Sequence, residues 1–172
     1  MEKLKYRMYF LVMYNLSPIQ QGIQAGHVSL EYVDEYGDTK EYKDFFENDK
    51  TWIVLNGGTS NDMLQHYSYL NNELEINVSF FLEPDLNESM SAICFLADER
   101  IWDKEKYPDF LDYCDTELKN CIHPQEPSKL LLGMSLVYDP IEKDELYKKW
   151  VESIGGETNA KLREFLKNKR LA

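Results

Sequence analysis

Residues 8–15, Met-Tyr-Phe-Leu-Val-Met-Tyr-Asn, are apolar almost without a break, and Ser17-Pro18 follows at once. An unbroken apolar run of this length suits a strand buried on both faces, as in a sheet with helices on either side. Serine at the N-cap with proline at the first helical position is a strong helix start. Gln20 stands three residues after Ser17 and completes a capping box. A buried strand handing directly into a capped helix points to an α/β layer structure. The helix is predicted to run to about Tyr36 and to stop at Gly37.

The same reading extends along the chain. A short acidic helix is expected over 41–48, a strand over Trp52–Leu55 and a helix over 61–72 that buries Met63, Leu64, Tyr67 and Leu70. Strands are expected at Asn77–Leu82 and Ser91–Leu96, with a turn over Glu83–Glu88 between them. Further on, Pro108–Cys121, Glu142–Ile154 and Thr158–Arg170 read as helices and Leu130–Tyr138 as a fifth strand. No internal repeat and no low-complexity linker interrupts this order. The expected fold is α/β, with a four-stranded mixed sheet flanked by helices. Residues 1–98 form the core, and 99–172 form a mainly helical extension packed on it.

Charge excludes some functions. The chain carries 19 basic and 31 acidic side chains, a net charge of −12. The excess lies almost wholly in residues 1–100, with 7 basic against 17 acidic, whereas 101–172 hold 12 against 14. Non-specific nucleic-acid binding needs clustered lysine and arginine, so only a local basic patch would serve RNA. The one basic stretch is Lys161, Arg163, Lys167, Lys169 and Arg170 near the C-terminus, against Glu164 alone. It reads as a normally charged last helix or as a handle for RNA phosphates. The acidic stretch 31–49, with tyrosine and phenylalanine interleaved, is a candidate protein-facing surface. No apolar run approaches the ~20 residues that span a bilayer, and no signal-like segment opens the chain, so a cytoplasmic protein is expected. A homodimer is compatible with the sequence. Three cysteines, Cys94, Cys114 and Cys121, do not read as a disulfide framework, and Cys121 with His123 lacks a second ligand pair. No structural metal and no cofactor is expected.

The first helix holds the most chemistry. At 100° per residue, Ile19, Gly22, Ile23, Gly26, Leu30 and Val33 share one face, read as the face that packs on the sheet. Its two glycines then read as sites of close approach to the sheet. Gln20, Gln24, His27 and Glu31 form a second stripe beside it. An imidazole at the end of a line of amides suits either a histidine bonded to a nearby loop or the wall of a site with a proton donor or acceptor near neutral pH. Glu83-Pro84-Asp85 closes the third strand, and ligands in open α/β sheets collect at such carboxyl ends; a plain polar turn is the alternative. Gly57-Gly58-Thr59 opens a helix whose N–H groups can hold an anion. There is no phosphate-binding loop motif, dinucleotide fingerprint or nucleophile elbow.

The strand Tyr9–Tyr14, followed by Gln20-Gln21-Gly22-Ile23-Gln24-Ala25-Gly26-His27, resembles the peptidyl-tRNA hydrolases of the archaeal and eukaryotic type (type 2). In that family the first helix opens Lys-x-Ala-Ala-Gln-x-x-His, and Gln24 and His27 fall on its glutamine and histidine. The third strand ends at Glu83 where the family has the acid of Asp-Ala-Gly-x-Thr, and Ser91 stands where it has a threonine. The resemblance covers residues 6–97. It implies a hydrolase for the ester of peptidyl-tRNA or a related aminoacyl ester, with His27, Glu83 and Asp85 catalytic. On that reading Gln20, Gln24 and Ser91 would bind substrate together with Thr59 of the strand-end turn, and the basic tail residues, which lie outside the resemblance, would hold phosphate in place of the lost loop lysines. The departures are specific. The helix-opening lysine is Gln20, Ser17-Pro18 replaces a Gly/Lys-rich loop, and Glu-Pro-Asp replaces Asp-Ala-Gly. They keep open a non-catalytic nucleotide-, RNA- or protein-binding module on the same fold. A hydrolase for a small nucleotide or a nucleic-acid end, with a divalent ion on His27, Glu83 and Asp85, is a third reading.

Overall fold

The computed structural model describes residues 3–48, 50–121 and 140–172. Its four-stranded sheet has the order β2-β1-β4-β3. Strand β1 (Tyr6–Met13) pairs in parallel with β2 (Trp52–Gly58) and antiparallel with β4 (Ser89–Asp98). The edge strand β3 (Val78–Glu83) is antiparallel to β4. The carboxyl ends of β1, β2 and β3 and the start of β4 therefore share one edge of the sheet. The expected α/β class with a mixed four-stranded sheet is what the chain adopts.

Two compact units divide the described chain: Met1–Glu99 with Lys161–Ala172, and Arg100–Ala160. In the first, α1 (Pro18–Tyr36) and α2 (Lys40–Glu47) cover one face of the sheet. Met8, Phe10, Val12, Ala92 and Cys94 from the strands pack there against Ala25, Val28, Tyr32 and Phe45. Each large side chain fully buried in this way contributes about 1.5–3 kcal/mol. The opposite face takes α3 (Ser60–Ser68), with Met63 completely buried. A π-helical turn, Tyr69–Glu73, continues α3 and carries buried Leu70. At the outer edge of β2 the C-terminus adds a short antiparallel bridge, Leu55 to Leu171. The Asn56 N–H donates to the Arg170 carbonyl at 2.8 Å, and the Ala172 N–H donates to that of Val54 at 3.1 Å. An edge covered in this way offers fewer unpaired groups to a foreign strand.

The second unit contains α4 (Glu99–Trp102) from Arg100 on, α5 (Phe110–Cys121), α6 (Pro140–Ser153) and the start of α7 (Glu157–Lys167). Trp150, Val151, Ile154 and Ala160 form its core with Tyr107, Phe110 and Tyr113. The indole N–H of Trp150 donates to the Pro108 carbonyl at 3.0 Å. Gly155 and Gly156 take φ of 90° and 110° between α6 and α7, a conformation that favours glycine. The strand expected over Leu130–Tyr138, and His123, lie outside the described residues.

The structure corrects the first helix. The stripe read as its core face points to solvent: Ile19 is 78% exposed, Leu30 68%, Ile23 48% and Val33 41%. The face on the sheet is Gln21, Gln24, Ala25, Val28 and Tyr32, on the other side of the helix. A Cβ added to Gly22 or Gly26 would meet nothing within 4 Å, so neither glycine serves close approach to the sheet. Leu64 and Leu171 are exposed as well, while Met63 and Leu162 are buried.

Candidate functional site

The start of α1 is set by local chemistry. The Ser17 N–H and hydroxyl donate to Oε1 of Gln20 at 3.0 and 2.9 Å, and the Gln20 N–H returns to Ser17 Oγ at 3.4 Å. Gln21, buried, donates to the Met13 carbonyl at 3.3 Å. That bond ties the helix to the end of β1 and fixes which residues meet the sheet. Ser79 on β3 donates to Glu35 at 2.6 Å and anchors the other end.

Nearly two turns into the helix, Gln24 is buried at the carboxyl edge of the sheet. Its Nε2 donates to Oε2 of Glu83, at the end of β3. Its Oε1 accepts the hydroxyl of Ser91, on β4, at 2.6 Å. A bulge makes this possible. Phe81 pairs with Ala92 and Leu82 with Met90, so Ser91 is the extra residue on β4. Ala92 and Cys94 belong to the core under α1, and regular alternation would aim Ser91 at the opposite face. The bulge turns its hydroxyl toward α1, a recurrent use of bulges beside functional sites.

His27 lies one turn beyond Gln24, half-buried, with its ring 4.7 Å from that of Phe81. Its Nδ1 is buried without a hydrogen-bond partner. A buried nitrogen left without a partner costs about 1–3 kcal/mol. The structure thus brings together Gln24, Glu83 and Ser91, with His27 against the strand that carries Glu83. Asp85 is exposed on the short 3-10 turn Pro84–Leu86 and takes no part in these bonds.

Other predicted residues stand apart. Gln20 is exposed, with its amide oxygen held in the cap. Thr59 caps α3: its N–H and hydroxyl both donate to Oδ2 of Asp62, at 2.8 and 2.7 Å. The turn expected to hold an anion thus holds the chain's own carboxylate. The Thr59 hydroxyl, then its N–H, keeps Asp62 below the usual carboxylate range. The basic tail does not form one cationic face. Arg163 is buried, and Lys169 turns to His66 at 2.7 Å, while Lys161, Lys167 and Arg170 are exposed. Among the described residues, no group of three or more His, Cys, Asp or Glu side chains gathers where a metal ion would be held. Among the same residues no helix is long and apolar enough to cross a membrane.

Sequence reasoning missed Gln21 and the role of the bulge. A buried glutamine at the strand–helix junction leaves no local signal, and the bulge follows from pairing between two strands. No model of a known protein family matches this chain, and no curated protein matches it.

Proposed function

We propose that this chain hydrolyses the ester bond of peptidyl-tRNA or a related aminoacyl ester. The supporting observation is the set of bonds from Ser91 through Gln24 to Glu83. It links three residues, from three separate elements, that the family resemblance implies for the site. With Oε1 held by Ser91 and one Nε2 hydrogen by Glu83, Gln24 keeps a second amide hydrogen for a developing oxyanion or a ribose hydroxyl. His27 positions or activates the attacking water. Glu83, or Asp85 on the adjoining turn, shares the proton work. Water adds to the ester carbonyl, the bond to the ribose oxygen breaks, and that oxygen takes a proton as it leaves.

The test is release of N-blocked amino acid from a labelled blocked aminoacyl-tRNA. Turnover by the wild type, lowered ~10²–10⁴-fold in a folded His27→Ala variant, is expected. Absence of turnover from folded wild type, or equal turnover in the variant, overturns the reading.

A second reading, a non-catalytic nucleotide-, RNA- or protein-binding module, has its own support. The Gln20 side chain, at the position of the family's lysine, is consumed by the helix cap, and Glu83 and Asp85 leave the site edge acidic. Retention on heparin at physiological salt would favour RNA, and flow-through a protein partner.

A further inference from the structure

We infer that the solvent face of α1 is the contact through which two copies of this chain pair, antiparallel and about a two-fold axis at Gly26. Three features of the helix carry this.

The first is the apolar face itself. Ile19, Ile23, Leu30 and Val33 are 41–78% exposed along one side of a nineteen-residue helix. They line up on the side opposite the residues that pack on the sheet. Lone exposed aliphatics are ordinary, but a continuous row marks a contact surface.

The second is shape. Gly22 and Gly26 lie within this row, and the space where a Cβ would sit is empty at both. Glycine weakens a helix interior, so two of them on an open face need a cause outside the isolated unit. Bare backbone lets a second helix approach closely. An antiparallel copy centred on Gly26 sets Gly22 against the partner's Leu30 and Ile19 against the partner's Val33. Small then meets large on both sides of the axis, as a self-complementary two-fold contact requires.

The third is charge. α1 has no acid in its first turn and no base in its last. Its acids, Glu31, Asp34 and Glu35, sit in the C-terminal half, where the helix dipole opposes them. Glu35 is held by Ser79. An antiparallel partner brings Asp34 beside the N-terminus of the other helix, where a carboxylate is favoured. The two Asp34 carboxylates stand about 24 Å apart along the helices, well beyond the ~8 Å screening length at physiological salt. A parallel copy would set the acidic halves side by side. The gathering of the acids of α1 in its C-terminal half thus selects the antiparallel arrangement.

Sedimentation velocity of the full chain from low to high micromolar concentration tests this. The wild type is expected to shift from the 20.3 kDa chain mass to twice that value. Leu30→Glu should weaken pairing at least tenfold, with an unchanged circular dichroism spectrum and melting curve. Gly26→Leu, with open space for its side chain, should do the same. Gly26→Cys should give an inter-chain disulfide under mild oxidation, and Glu41→Cys, off the row, should not. A wild type that stays monomeric throughout overturns the inference, as does a dimer that Leu30→Glu leaves intact. Unfolding of both Leu30→Glu and Gly26→Leu would also overturn it, because the row would then be covered within the chain.

Discussion

The Lys169 ammonium lies 2.7 Å from Nε2 of His66 and donates a hydrogen bond to the neutral imidazole. Phe165 completes the clamp, with its ring 5.3 Å from His66 and 4.9 Å from the Lys169 nitrogen. Burial first, then the Lys169 charge, lower the His66 pKa from its ordinary 6.5; Asp62 and a bond to the Gly57 backbone act the other way. A histidine lowered on folding contributes stability that is fully present above 6.5 and is lost as pH falls through the folded value. Protonated His66 would face the Lys169 ammonium. The C-terminal bridge to β2 should therefore loosen on mild acidification. The Asn56 amide, bonded to Arg170, should lose hydrogen-exchange protection below pH 6.5 in the wild type relative to His66→Gln at the same pH. Glutamine accepts the same bond and does not titrate. Equal protection in the two proteins would remove His66 as the cause.

Ser91→Ala should destabilise the first unit by about 1–3 kcal/mol, because it leaves the buried Oε1 of Gln24 without its donor. For a chain of this length that is a fall of roughly 2–4 °C in melting temperature per kcal/mol. Gln24→Met removes the stranded acceptor as well. The double variant Gln24→Met/Ser91→Ala should therefore lose less than the sum of the singles. Additive losses, read by thermal melts, would show that the two side chains act separately.

Two glycine substitutions should have opposite signs. A Cβ on Gly57 would run into Met63 Sδ and come within 3.1 Å of Leu11 Cβ, so Gly57→Ala overpacks the α3 side of the core. The cost should be about 1–3 kcal/mol. Gly22→Ala meets open space and raises helix propensity, a gain of up to about 1 kcal/mol. Urea titrations of dilute protein check both. A stabilising Gly57→Ala would mean that Met63 has room to move.

The boundaries of α1 were legible because caps are local: Ser17, Pro18 and Gln20 act within one turn, and Gly37 closes the other end. The side of α1 that packs on the sheet was not legible. Apolar periodicity selects Ile19, Ile23, Leu30 and Val33, but the sheet side is Gln21, Gln24 and Tyr32 with only Ala25 and Val28 as aliphatics. The buried amides are satisfied by Met13, Glu83 and Ser91, which lie elsewhere in the chain, so their burial has no local signature. The same holds for the C-terminal bridge, since Leu171 and Leu55 are far apart in sequence. Gln24, Glu83 and Ser91 were found as a set through the family resemblance, and their contact could not be read from spacing.

The largest departure from that resemblance can be tested directly. Gln20 falls where the resemblance would put a lysine, and its Oε1 is the acceptor for both the Ser17 N–H and hydroxyl. Gln20→Lys removes that acceptor while keeping a good helix former. It should lower stability by about 0.3–1.5 kcal/mol, the worth of such a cap. The new ammonium would be exposed at the opening of α1, one turn before Gln24 and on the same side of the helix. If the chain is a hydrolase of an RNA ester, that charge should attract phosphate and raise turnover of blocked aminoacyl-tRNA above wild type, with a steeper fall as salt increases. In a module that binds protein through an acidic surface, the substitution should add salt-sensitive RNA retention and no turnover. Turnover below wild type in a well-folded Gln20→Lys would mean that the capping glutamine, in place, is part of the site.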